Sequence, residues 1–451
     1  HQEARRQRQM CIRDRLMLAP HSAAQETANR QTTAFVNVNV IPMDSERILE
    51  NQTVIIHDGK IVRMDVADQI EIPNNAFEID GNGQYLLPGL ADMHVHIWHQ
   101  EDLLLYVANG ITTVRNMNGK PYHLEWRKKI ANGELLGPTI YTSGPTIYDE
   151  RLSIDKAKQL VIDQKNAGYD FIKIYHYLRD KEPFIELMKT AKEAGIPVAG
   201  HKPRGISFRE MLDLGQSSLE HMLSYVYLIE KPDTPLRAAL QQGKWSFRYH
   251  YSGTEVDESK IPPIAEAVRN AGLWNCPTLI AMDRWIPSGE AQAILAQPHF
   301  KYINRSRFTR TVDQYLTDSS SEIRAQGRKV RRMLVQHLHQ AGAKLLLGTD
   351  AGGTYIEPGF SIHTELQNLV EAGLSPYEAI KTGTYNAAEF LNTLDKTGSI
   401  AIGKTANLIL LKANPLENVA NVKKQSGVML RGQWLPEKKL IQMLKEQAAA
   451  Y

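Results

Sequence analysis

Six side chains able to bind a metal or move a proton stand at or near the ends of short apolar runs along this 451-residue chain. Leu87-Pro88-Gly89-Leu90 leads into Asp92-Met93-His94-Val95-His96. Residues two apart on a strand share a face, so His94 and His96 can aim at one metal. Lys173 lies inside Phe171-Ile172-Lys173-Ile174-Tyr175, where a cation is costly unless it is paired or neutral. One outcome is a lysine that snorkels at the strand end. The other is a neutral amine that takes up CO2, giving an anionic carbamate whose two oxygens can bridge two cations. His201 follows Ile196–Gly200, His221 follows Ser218-Leu219-Glu220, and Asp350 sits in Gly348-Thr349-Asp350-Ala351-Gly352. Singly, each histidine reads more often as a packed structural residue, and the aspartate as easily as a turn residue. The conjunction carries the argument, because neutral imidazoles with hard oxygen anions suit zinc and similar divalent ions.

Positioning such a set requires strands that end on one face. The middle of the chain alternates short apolar runs with longer amphipathic ones, the pattern of parallel strands and crossover helices. Eight strands are expected near Tyr85–Met93, Ile111–Arg115, Thr139–Ser143, Phe171–Tyr175, Pro197–Gly200, Ser217–Glu220, Trp274–Thr278 and Lys344–Gly348. Gly110, Gly195 and Gly342 precede three of them, where helices would be capped. The fold class expected is α/β: a (β/α)8 TIM barrel over residues 86–395, whose active face is the C-terminal ends of its strands. Insertions are expected at about 228–265 and 283–330, long enough to be lids or binding loops. Both chain ends are instead strand-rich. Thr53–Ile56 and Lys60–Val62 flank Asp58-Gly59, a hairpin signal, and Leu408–Leu411 and Gly427–Trp434 are also strand-like. Residues 33–85 and 396–440 are therefore expected to form one small β-sandwich domain from both ends, with 441–451 as a C-terminal tail.

Hydrophobic residues at 42% and charged residues at 23% fit a globular protein and exclude disordered and fibrous classes. No apolar run is long enough for a membrane span. The net charge of +3 comes from the first fifteen residues, where five arginines oppose Glu3 and Asp14. No basic stripe remains elsewhere, so no nucleic-acid partner is expected. Met10–Arg15 is what a transposon end used in sequencing libraries encodes, so residues 1–32 are read as adapter sequence followed by a leader remnant in a metagenomic chain. Leu16–Pro20 is an apolar stub, and Ser22-Ala23-Ala24 puts small residues where a signal peptidase cuts. A periplasmic or secreted location is the expectation, with the cytoplasm as the alternative. Cys276 stands without a cysteine partner nearby, so no disulfide framework is expected.

With these motifs in place, the chain resembles the amidohydrolase superfamily, in its prolidase-like or imidazolonepropionase-like branch. The likeness runs from about residue 33 to 440 and includes Gly398–Leu408, where the family more usually has Asp in place of Asn407. The resemblance implies one metal held by His94, His96 and Asp350, and a second held by His201 and His221. It implies two divalent ions, zinc expected, bridged by carbamylated Lys173 and a hydroxide. That hydroxide would attack a substrate carbonyl, and Asp350 would carry its proton to the leaving amine. Mononuclear deaminase relatives lack the lysine, which favours the binuclear hydrolases here.

The expected reaction is hydrolysis of an amide C–N bond in a dipeptide, an N-acyl amino acid or a related small molecule. Dipeptidase relatives often carry an alanine after the fifth-strand histidine, whereas here the run is His201-Lys202-Pro203-Arg204. Lys202 and Arg204 are candidates to hold a carboxylate, and Tyr175, His176 and Tyr225 are candidate contacts at the same mouth. Alternatives are a lactonase or phosphotriesterase on the same site, a mononuclear deaminase, or a ligand-binding protein without catalysis. A homo-oligomer is left open.

Overall fold

The computed structural model of the chain describes residues 32–234, 255–304 and 321–450. The leader expected over 1–32 lies outside them apart from Thr32, as do parts of both expected insertions.

The first strands are β1 (Thr33–Val40), β2 (Leu49–His57), β3 (Lys60–Val66), β4 (Phe77–Asp80) and β5 (Tyr85–Pro88). β2 and β3 are joined by Asp58-Gly59, both at positive φ, as a tight hairpin turn requires. The last strands are β14 (Leu408–Leu411), β15 (Gln425–Leu430) and β16 (Gln433–Pro436), numbered after the eight described below. All pair in one eight-stranded sheet of order β16-β15-β14-β5-β1-β2-β3, with β4 also on β1. Phe35, Val38, Val40, Val54, Ile56, Leu86, Leu408, Leu410 and Met429 share one of its apolar clusters. Two expectations are corrected here. Gly427–Trp434 is not one strand but two, because Arg431-Gly432 turns the chain at positive φ. The expected tail is mostly helix, Glu437–Ala448, because Leu440 and Leu444, four apart, are buried on one side.

Between these ends lie β6 (Leu90–Val95), β7 (Ile111–Asn116), β8 (Thr139–Thr142), β9 (Ile172–Ile174), β10 (Val198–Gly200), β11 (Ser218–Glu220), β12 (Trp274–Cys276) and β13 (Lys344–Leu345). They are parallel and alternate with helices, in a three-stranded sheet β6-β7-β8 and a five-stranded sheet β13-β12-β11-β10-β9. Parallel bridges Ser143–Phe171 and Val95–Ala351 connect neighbouring segments across the gaps. This is a mixed α/β fold consistent with a barrel type, although the described strands form two parallel sheets rather than one closed barrel. The expected first strand Tyr85–Met93 is divided. Tyr85–Pro88 belongs to the end sheet and Leu90–Val95 to the parallel one, while Gly89 N–H donates to the Asn407 carbonyl at 2.8 Å.

Local chemistry explains the alternation. β9, β10, β11 and β12 are buried at every position, as parallel strands covered on both faces are. The helix Phe208–Asp213 is started by a capping box, with Ser207 and Glu210 satisfying each other's backbone N–H groups. Gly195 follows the helix Lys181–Glu193 at φ 61°, a left-handed position that ends it. The helix Ile261–Ala271 leads into β12, so 261–265 is crossover helix rather than insertion. No helix among the described residues is long and apolar enough to cross a membrane.

Candidate metal centre

β6 delivers His94 and, one residue beyond its end, His96. Their Nε2 atoms lie 3.4 and 3.1 Å from the same oxygen, Asp350 Oδ1. Asp350 follows β13 at φ 63°, and its N–H donates to the His94 carbonyl at 2.7 Å. The three residues therefore present ligand atoms within 4.8 Å of one another. The rings of His94 and His221 are 4.8 Å apart, and those of His221 and His201 5.0 Å. His221 Nδ1 shares a 2.5 Å hydrogen bond with Thr278 Oγ1, which frees Nε2. Lys173 is 2% exposed, and its Nζ has no hydrogen-bond partner among the described residues.

The backbone is bent to make this convergence. Ser218 and Glu220 share a face of β11, so an extended His221 would point away from Glu220. Instead His221 adopts φ 60°, and Thr278 after β12 adopts φ 45°. Left-handed backbone costs about 1–2 kcal/mol per non-glycine residue and persists where the surroundings impose it.

Electrostatics follow from burial. Burial, with the nearby Lys173 charge, holds His201 well below the ordinary imidazole range; burial, with the His94 charge, does the same to His221. Burial also lowers His96. Neutral imidazole is the ligand form. Burial depresses the Lys173 amine to about 8, despite the opposing Glu220 charge. Burial pushes Asp350 up, but hydrogen bonds from His94 and His96 outweigh it and hold the carboxyl well below its usual range.

Sequence reasoning missed a second layer beneath these residues. Glu220 is fully buried; its Oε2 lies 2.8 Å from His94 Nδ1, and its Oε1 accepts from Arg115 Nη2 at 2.8 Å and Ser218 Oγ at 2.5 Å. Arg115 also donates through Nε to the Met93 carbonyl at 2.6 Å. Burial pushes Glu220 up, but Arg115 and His94 prevail and keep it ionised. Buried Asp92 accepts from Thr349 N and Oγ1 at 3.0 and 2.6 Å, tying β6 to the Asp350 segment. The available signal was a charge inside an apolar strand, the same one that marks Lys173. His94, Glu220 and Cys276 also cluster at ligand distance. Burial pushes that thiol well up and hydrogen bonds already occupy Glu220, so support of His94 is the better account of the cluster.

The substrate candidates divide. Tyr175 packs on His201 at 4.5 Å, and His176 lies 5.4 Å from it. Arg204 Cζ stands 5.3 Å over the Tyr177 ring. Lys202 is corrected: its Nζ donates to its own loop, to Pro203 O at 2.7 Å and Ile206 O at 2.5 Å, because the chain turns around the ammonium. Tyr225 is also corrected: its ring is fully buried in the helix Leu223–Ile229, and its hydroxyl donates to Asn275 Oδ1. A small pocket lined by Thr112, Thr384, Thr397, Ser399 and Asn407 contains none of these residues and lies toward the strand starts.

The amidohydrolase family model matches residues 85–435. The chain belongs to the amidohydrolase family. Members of this family are metal-dependent hydrolases. Adenine deaminase 2 of Desulfotalea psychrophila is 27% identical over 190 residues, covering 38% of this chain and 31% of that protein. Ochratoxinase of Aspergillus niger is 33% identical over 121 residues, covering 25% of this chain and 24% of that protein. The matched sequence thus spans less than a third of either relative's length. The solved structure of bottromycin amidohydrolase superposes with a TM-score of 0.70 at 21% identity, covering 96% of this chain and 94% of that one. At that identity the likeness extends to this amidohydrolase's fold.

Proposed function

We propose that this protein hydrolyses the amide C–N bond of an N-acyl amino acid, dipeptide or related small amide at a two-cation centre. The two parallel sheets are then arcs of one (β/α)8 barrel, accompanied by a β-domain made from both chain ends. His94, His96 and Asp350 would hold one cation, and His201 and His221 the other. Carbamylated Lys173 would join them, its neutral amine adding CO2 and releasing a proton. The observation that carries the reading is Lys173 Nζ, buried without a partner among the described residues beside histidines that feel its charge. A carbamate answers that orphaned nitrogen, and the donor set of imidazoles and oxygen anions suits zinc. Bound there, the cations supply Lewis acidity toward water and a substrate carbonyl.

The chain's own residues handle the proton. Ionised Asp350 accepts it from the attacking water and returns it to the amine nitrogen as the C–N bond breaks. The histidines remain ligands throughout. Glu220 accepts from His94 Nδ1–H, keeping Nε2 deprotonated toward the centre.

Metal content per chain for wild type and Lys173→Ala, alongside an N-acyl amino-acid and dipeptide panel, tests the proposal. Near two ions, falling with hydrolysis in the variant, supports it. Asp350→Asn should lower turnover by about 10²–10⁴-fold while much of the metal stays bound; near-normal turnover refutes the proton role. The adenine deaminase match favours a second reading, a deaminase; one ion per chain unchanged by Lys173→Ala would select its mononuclear form.

A further inference from the structure

The ring contacts around the centre do not stop at the imidazoles. Trp98 stacks on His96, with centroids 5.6 Å apart and planes 8° apart. His201, at the other end of the set, meets Tyr175, which meets Tyr148 at 5.2 Å and Tyr177 at 4.8 Å. Aromatic rings thus bracket the centre, with Trp98 on one flank and three tyrosines on the other. Each follows a parallel strand at its C-terminal end: Trp98 after β6, Tyr148 after β8, Tyr175 and Tyr177 after β9. Trp98 is 39% exposed and Tyr148 48%. The His96 and Asp350 side chains are each 20% exposed, so solvent reaches the centre between the flanks. Lys202, the nearest lysine in sequence to His201, is committed to its own loop.

We infer that the flank formed by Tyr148, Tyr175 and Tyr177, with Trp98 opposite, is a subsite for an aromatic or large planar apolar group on one arm of the substrate amide. Exposed ring faces gain most from covering by another ring, in offset or edge-to-face contact. The inference rests on the centre being an amide hydrolase and adds the substrate class: aroyl amino acids or acylated aromatic amino acids.

The test uses the metal-loaded full chain with N-benzoylglycine, N-acetylphenylalanine and N-acetylglycine, in wild type, Tyr148→Ala and Tyr148→Phe. At least one aromatic-armed substrate should exceed N-acetylglycine in kcat/KM by tenfold or more. Tyr148→Ala should remove most of that advantage through KM, and its effect on N-acetylglycine should be at least fivefold smaller. Tyr148→Phe should retain the advantage, because the ring rather than the hydroxyl is used. Equal kcat/KM for all three substrates, or equal losses on all three, overturns the subsite. If the metal-loaded protein hydrolyses none of them, the hydrolase reading fails by itself. Saturation-transfer NMR with N-benzoylglycine then decides the subsite: binding that Tyr148→Ala weakens at least fivefold supports it, and no binding overturns it.

Discussion

Replacing Glu220 by glutamine separates a residue that merely fills space from one that sets the state of His94. The carboxylate accepts three hydrogen bonds, two on Oε1 from Arg115 and Ser218 and one on Oε2 from His94 Nδ1. An amide offers one acceptor oxygen and one NH2. If the oxygen faces Arg115, the NH2 faces His94 Nδ1, which must surrender its proton to accept. That proton then moves to Nε2, the nitrogen aimed at Asp350, and His94 can no longer ligate. Losing such an outer partner typically lowers metal affinity 10–100-fold, about 1.4–2.7 kcal/mol. If the amide turns the other way, NH2 meets the Arg115 guanidinium donor to donor; in either orientation the buried Arg115 cation loses its counter-charge. Arg115 and Glu220 are 1% and 0% exposed, so solvent screening gives little relief, and the cost is about 3–5 kcal/mol of stability. The assay is competition for zinc against a chelator of known affinity, with urea unfolding of the metal-free protein. Affinity should fall at least tenfold, with a lowered unfolding midpoint from the uncompensated Arg115 charge. Wild-type affinity would refute the tautomer argument, and a lowered midpoint beside it would leave Glu220 a purely structural residue.

Two further outcomes follow from burial and backbone. Lys173 titrates near 8 in the fold and near 10.5 when unfolded. Below about 8 both states hold the proton and its burial cost is constant; between 8 and 10.5 only the unfolded chain holds it. Metal-free, CO2-free protein should therefore gain stability as pH rises through that window, and Lys173→Met should flatten the rise in urea midpoints. Gly352, two residues past Asp350, has φ 89°, and a Cβ there would lie 2.1 Å from the His96 carbonyl oxygen. Gly352→Ala should cost about 2–4 kcal/mol and reduce bound metal, read by chemical denaturation and metal analysis.

Strand ends were legible where a chemical residue interrupted an apolar run, and the structure draws His94, His96, Lys173, His201, His221 and Asp350 into one cluster. Arg115 and Glu220 gave the same local signal, but the ion pair that neutralises both joins residues 105 positions apart. The direction of His221 was unreadable, because alternation along a strand fails once the backbone turns left-handed. Lys202 and Tyr225 failed as substrate contacts for a related reason. A side chain's availability depends on partners that folding supplies, two carbonyls of a tight loop in one case and Asn275 in the other. The apolar run Tyr85–Met93 gave no sign of changing sheets, since both sheets demand buried residues there.

The pairing of β5 with β14 sets a schedule for the nascent chain. Leu408 lies opposite Pro88 and Leu411 opposite Tyr85, so β5 awaits a neighbour synthesised long after it. Every proposed metal ligand has been made by Asp350, yet the strand leading into β6 still has one open edge. Such long-range closure slows folding and leaves an unpaired edge as a template for association. Chains interrupted between Asp350 and Leu408 would carry the whole candidate centre and still be the ones most prone to aggregate.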